Sequence, residues 1–144
     1  MNSVLSLNCC NSLTFFLQGY DYTSGVWQFE GDGYVPNGAS GVCIMQVFGA
    51  TLSNTTMILT VYNGSLMYYT KQVLVQDIYD KWFHLNVIHD ADAGKVKVFI
   101  DGALSLEVND RGRASHYFKF GVYAQNSSSY YMESHWKGIK VYRM

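Results

Sequence analysis

The sequence predicts an all-β domain built as a two-sheet antiparallel sandwich. Three observations carry that prediction. From Val26 onward, short runs of β-branched and aromatic residues are separated by Gly, Asn and Asp, with little 3.6-residue periodicity over any long window. Aromatic residues make up 16% of the 144 positions, an excess that favours pleated, half-buried surfaces. Two dipeptides, Asn63-Gly64 and Asp101-Gly102, sit between such runs and supply the positive φ angles of type I′ hairpin turns.

Taken in order, the strands are expected at Val26 to Gly31, Gly41 to Phe48, Met57 to Tyr62, Leu66 to Thr70, Gln72 to Val75, Trp82 to His89, Lys95 to Ile100, Ala103 to Val108, Tyr117 to Gln125 and Ser134 to Tyr142. The link Gln76 to Lys81, with acidic residues ahead of a Lys, has room for one helical turn at most. Trp27, Phe29, Trp82 and Trp136 are large aromatics within the expected strands and read as core. Residues 1–18 lack the alternation and turn signals of the rest, so the chain divides into an atypical opening segment, 1–18, and one domain, 19–144. That segment reads as an unrelated leader, an altered start or a replacement first strand, and a terminus without function is the plainest of these readings. A sandwich short of its first strands would expose an edge at which chains can pair; the oligomeric state itself is not legible.

Composition excludes several function classes. Ten Lys and Arg against eleven Asp and Glu give a formal charge of −1, which creates no field for nucleic acid. No run approaches the ~20 apolar residues of a membrane span, and the apolar start lacks the basic lead of a signal peptide. The three cysteines, Cys9, Cys10 and Cys43, have neither metal-ligand nor disulfide-framework spacing. His84 and His89 fall on opposite faces of one strand, and His116 and His135 are scattered, so no metal site and no cofactor are expected.

The stretch Tyr117-Phe118-Lys119-Phe120-Gly121-Val122-Tyr123-Ala124-Gln125 carries the chemistry. Phe118, Phe120, Val122 and Ala124 alternate to one side, and Tyr117, Lys119, Tyr123 and Gln125 to the other, with Gly121 leaving a gap. Such a row can hold a carboxylate or a sugar ring: Lys119 brings charge, Tyr123 a phenol and Gln125 an amide. A half-solvated sheet face alternates in the same way and is the plainer reading. The run Ser127 to Tyr131 then reads as a loop, with Tyr130 or Tyr131 placed either to stack on a sugar or simply to pack.

This stretch resembles the YFKAGxYxQ strand motif of the alginate lyase and glucuronan lyase superfamily, concanavalin-like jelly-roll sandwiches that cleave uronic-acid polymers by β-elimination. Residues 19–31, 40–49, 82–90 and 130–136 are closer still to its plant citrate-binding members, and the likeness runs from about Gly19 to the end. The resemblance implies a jelly roll, a concave ligand-binding face, a vacuolar or extracellular setting, and citrate or an acidic polysaccharide as partner. Three Asn-x-Ser/Thr triplets, at Asn54, Asn63 and Asn126, agree weakly with a secretory route.

Carried over residue by residue, the lyase pattern is matched in part. Its Gln-Ile/Val-His element corresponds to Gln46-Val47-Phe48, so Gln46 is present to neutralise a substrate carboxylate while Phe48 stands where a His would serve as base. Nothing in residues 1–18 matches the family's Arg-x-Glu element, and no Arg precedes Arg111. If the chain is an enzyme, Tyr123 is left as acid and base in one; His116 or His135 are the candidates to replace the missing imidazole. Losing two electrostatic helpers, each commonly worth a factor of ~10² or more, favours binding over turnover. The expectation is an acidic-ligand site made by Gln46, Tyr117, Lys119, Tyr123 and Gln125, with a β-eliminating lyase and a degenerate structural remnant as the alternatives.

Overall fold

The computed structural model describes residues 20–144 in full and, ahead of them, the backbone of two short stretches, 5–10 and 14–16. Twelve strands form among the described residues: β1 (Leu5–Cys10), β2 (Thr14–Phe16), β3 (Val26–Tyr34), β4 (Val42–Phe48), β5 (Thr55–Tyr62), β6 (Ser65–Tyr68), β7 (Gln72–Val75), β8 (Trp82–Asp90), β9 (Lys95–Ile100), β10 (Ala103–Asn109), β11 (Tyr117–Ala124) and β12 (Glu133–Arg143). All pair antiparallel in two six-stranded sheets, one ordered β1-β12-β3-β8-β9-β10 and the other β2-β11-β4-β5-β6-β7. The expected all-β sandwich is what forms, and each of the ten strands read from the sequence corresponds to one of β3 to β12. Half of the opening segment lies outside the described residues; within it, the backbones of β1 and β2 pair with β12 and β11 as edge strands.

Alternation builds the interior. In β3 every second residue is buried, and in β8 Phe83, Leu85, Val87 and His89 turn inward while Trp82, His84 and Asn86 turn out. Where the sheets meet, Phe29 lies 5.8 and 5.7 Å from the rings of Phe118 and Phe120, and Trp136 packs edge-on against Phe29 and Phe120 at 6.0 and 5.8 Å. Such pairs add about 0.5–1.5 kcal/mol each beyond the area they bury.

Trp82 departs from the expectation. It is 44% exposed, because it shares the outward parity of β8, and there it lies under the Lys137 ammonium at 4.1 Å and beside the Tyr34 ring at 5.4 Å. The link at 76–81 contains no helical turn: Asp77 and Asp80 adopt positive φ, and Tyr79 bridges to Val35. Both hairpin turns form as read, with φ of 49° and 82° at Asn63-Gly64 and of 50° and 82° at Asp101-Gly102.

Candidate functional site

The side chains singled out in the sequence meet on the outward face of the second sheet. β4 and β11 run side by side, and their register sets Lys119 opposite Gln46, Tyr117 opposite Phe48 and Tyr123 opposite Cys43. Two irregularities shape this face. In β4 the pairing to β5 shifts between Cys43 and Met45; Ile44 and Met45 both join the core, and Cys43 and Gln46 share the outer side. In β11 the register shifts between Phe120 and Tyr123, with Gly121 at φ 131°, a conformation that a side chain would strain. The buried Ser134 of the opposite sheet holds this bulge: its hydroxyl donates to the Gly121 carbonyl at 2.7 Å and accepts the Trp136 indole N–H at 3.0 Å.

The result is a depression of about 340 Å³ lined by Gln46, Phe48, Asn54, Thr55, Ile58, Lys119, Tyr123 and Gln125. Four of the five expected site residues therefore line one space. The fifth, Tyr117, stands behind it and stacks on Phe48 with ring centroids 4.8 Å apart, while the Lys119 ammonium lies 5.2 Å from the same ring. Phe48 occupies its position as a packed aromatic floor rather than as a vacancy left by a missing imidazole.

Sequence reading missed Asn54, Thr55 and Ile58, which come from the turn into β5 and from β5 itself. Behind them the Thr55 and Tyr69 hydroxyls meet at 3.1 Å, and the Arg111 guanidinium lies 4.2 Å over the Tyr69 ring. No local signal ties these positions together, because Tyr69 lies beyond β6 and Arg111 beyond β10. The two histidines named as substitute bases do not line the depression. His116 is buried, with Nδ1 on the Phe48 carbonyl at 3.3 Å, and His135 sits on the other sheet against Glu133 and Tyr34. Tyr130 is fully exposed and Tyr131 half so; their loop is tied to Ser40 through Ser129 and lies outside the lining.

Electrostatics sharpen the picture. No carboxylate is among the lining residues, and the one cation is Lys119. Burial holds the Lys119 ammonium below the usual lysine value, the mark of a charge partly stripped of water. A carboxylate arriving there interacts through a medium less screening than bulk solvent. The Cys43 thiol, close to Gln46 and Lys119, is pushed up to about 12 by burial, so it is a neutral thiol and no nucleophile at ordinary pH.

In this β-sandwich, β4 and β11, with Gln125 just past the end of β11, present a Gln, a Lys, a Tyr and a Gln on one face, the arrangement expected from the resemblance to lyase-type sandwiches. The family comparison agrees: the alginate lyase 2 family model matches residues 12–143, and the chain belongs to that family. A citrate-binding protein from Hevea brasiliensis is 55% identical over 128 residues; these are 88% of this chain and 54% of that protein, so the chain spans about half the length of the curated relative it matches. Among solved structures, the family 7 alginate lyase A1-II′ in complex with product is similar at a TM-score of 0.75 and 13% identity, over 94% of this chain and 73% of that one. The alginate lyase from Corynebacterium sp. is similar at a TM-score of 0.68 and 17% identity, over 86% and 61%. These likenesses show the fold.

Proposed function

We propose that the depression on the second sheet binds an acidic ligand, a small polycarboxylate such as citrate or a uronic-acid unit, with little or no turnover. The observation that carries this reading is the juxtaposition of a partly desolvated Lys119 with Gln46 across one strand pair, in a recess that no carboxylate lines. Lys119 takes one ligand carboxylate, the amides of Gln46 and Gln125 donate to remaining oxygens, and the Tyr123 phenol, half exposed at the lip, donates or accepts for a hydroxyl. The printed name of the Hevea brasiliensis relative supports the carboxylate ligand, and the lyase-family fold supports the uronate. The same reading extends to a vacuolar or extracellular setting, with which the exposed positions of Asn54, Asn63 and Asn126 are compatible.

The test is calorimetric titration with citrate and with short oligouronates. Lys119→Ala is expected to weaken binding by roughly 10- to 100-fold, the usual worth of a hydrogen bond to a charged group. An unchanged affinity overturns the reading.

A β-eliminating lyase is the second reading, favoured by Gln46 and Tyr123 sharing the recess. Elimination needs the substrate carboxylate neutralised, the C5 proton removed and the leaving oxygen protonated, and Tyr123 would have to perform both proton transfers. Ultraviolet absorbance of the unsaturated product, followed on glucuronan and alginate with Tyr123→Phe alongside, decides between the two. Absorbance that rises in the wild type and not in the variant makes the chain a lyase; a flat trace from a folded sample leaves binding.

A further inference from the structure

Away from the depression, three side chains from distant parts of the chain converge in the interior. His89 is the last inward residue of β8, Asp110 directly follows β10, and His116 directly precedes β11. One ligand atom from each lies within 4.8 Å of the others. The histidines are 0% and 1% exposed, and their rings meet edge to face at 4.6 Å.

Each of the three is held from behind. Asp110 Oδ2 accepts from His89 Nε2 at 2.9 Å, so in this tautomer His89 Nδ1 accepts from the Tyr22 hydroxyl at 2.8 Å. His116 Nδ1 donates to the Phe48 carbonyl at 3.3 Å, which leaves the lone pair on Nε2. Asp110 Oδ1 accepts the Gly112 N–H at 3.1 Å. These are the contacts that orient metal ligands: each Nδ1 engaged with an oxygen, Nε2 directed elsewhere, and the carboxylate fixed by a backbone amide. An Asp-His-Tyr hydrogen-bonded relay would explain Asp110, His89 and Tyr22 alone. His116 joins that group through its backbone pairing with Tyr22 and its ring contacts with Tyr22 and His89, and the relay leaves its Nε2 without a part.

We propose that His89, Asp110 and His116 form a binding site for a first-row divalent ion of the zinc type, held by two imidazole nitrogens and one carboxylate oxygen, with an oxygen ligand completing the tetrahedron. The dimensions fit. Bonds of about 2.0–2.1 Å to a tetrahedral ion place ligand atoms about 3.3 Å apart. The His89–Asp110 contact, at 2.9 Å, therefore opens slightly, and the wider separations, none above 4.8 Å, close. On metal binding the His89 proton moves from Nε2 to Nδ1, so the imidazole stays neutral and keeps its Tyr22 contact by donating from Nδ1 to the phenol oxygen. Soft-ligand sites of the Cys type and all-oxygen calcium sites are excluded by the donor set. The ion would join the end of β8 to both ends of the 110–116 link and, through the Phe48 carbonyl, to the end of β4.

Chelator-treated protein titrated with cobalt(II) reads the site directly. The expected result is the intense visible absorption of a tetrahedral cobalt centre, at one ion per chain, bleached by stoichiometric zinc. Zinc at about a hundred times its Kd should raise the Tm by roughly 8 °C. Asp110→Asn and His116→Gln should each abolish the band. Tyr22→Phe, which keeps the packing against Trp27, should weaken metal binding by roughly 10- to 100-fold. His84→Gln, which alters the part-exposed Glu30–His84–Asp32 group on the outer face of the first sheet, should leave the cobalt band and the zinc-induced rise in Tm unchanged. Wild-type protein that gives neither a band nor a Tm shift overturns the proposal, as does a band that survives both Asp110→Asn and His116→Gln or disappears in His84→Gln.

Discussion

Two depressions of the same volume, about 340 Å³ each, open on the outward faces of the two sheets, and they differ in how their charges are arranged. The one on the first sheet is lined by Val26, Ile88, Asp90, Lys95, Lys97, Phe99 and Glu107. Its lysines stand directly opposite carboxylates in the strand register, Lys95 across from Asp90 and Lys97 across from Glu107. The one on the second sheet has Lys119 and no lining carboxylate. Volume is thus no guide to a binding site in this molecule. An anion at the first sheet meets the like charges of Asp90 and Glu107 beside the lysines, whereas the lining of the second-sheet depression sets no carboxylate against it.

The largest expected effect breaks this contrast from one side. Lys119→Glu should lower citrate affinity by at least about 100-fold, because it leaves two like charges facing in a partly desolvated recess, whereas Lys97→Glu should leave the affinity within a factor of about two. Isothermal titration of the two variants side by side measures both arms. The pH profile adds detail. Since burial holds the Lys119 ammonium below the ordinary lysine value, binding should decline as pH rises through that lowered value, earlier than for a surface lysine.

The second effect concerns the backbone beneath the site. Gly121→Ala puts a Cβ on a residue at φ 131° and should cost about 1–3 kcal/mol in denaturant unfolding. It should also weaken ligand binding, because Tyr123 and Gln125 follow the bulge. An Ala of unchanged stability would mean that Gly121 is not what shapes this strand.

The smallest effect belongs to the first sheet. His84 lies between Asp32 Oδ1 at 2.7 Å and Glu30 Oε1 at 2.9 Å, and these carboxylates, the hydrogen bond to Asp32 above all, raise its pKa. A raised folded-state value stabilises fully below the unfolded value of about 6.5 and loses that contribution as pH climbs through the folded one. His84→Gln should flatten the fall in Tm between mildly acidic and mildly alkaline buffer by a degree or so, and salt should shrink the difference further, because the group is part-exposed. Ligand affinity at the second sheet should not respond.

How much of this was legible in the sequence follows from the range of each signal. Strand existence and the two I′ turns are local: alternation along β8 or β11 and the pairs Asn63-Gly64 and Asp101-Gly102 fix them within a few residues. Which face a residue takes is nearly as local, yet Trp82 turns outward against expectation, because a large ring does not by itself reveal parity at a strand's first residue. The site was half legible. Lys119, Tyr123 and Gln125 lie on or directly after one strand and could be read together, and Gln46 came with the family resemblance. The register that sets Gln46 against Lys119 is tertiary, as are the shifts at Ile44-Met45 and Gly121. His89 and Asp110, separated by 21 positions, meet only because β9 and β10 fold back on β8. No spacing rule for metal ligands on one element would have joined them.

Asn54, on the lip of the second-sheet depression, is also the first residue of an Asn-Thr-Thr triplet. In a copy that passes through the secretory route, a branched glycan carried there would stand at the mouth of the recess as a covalent sieve. Free tricarboxylates would pass it and long uronan chains would be turned away. The size of ligand admitted would then be set by the sugar processing of the cell that makes the protein, with no change in any side chain of the binding face.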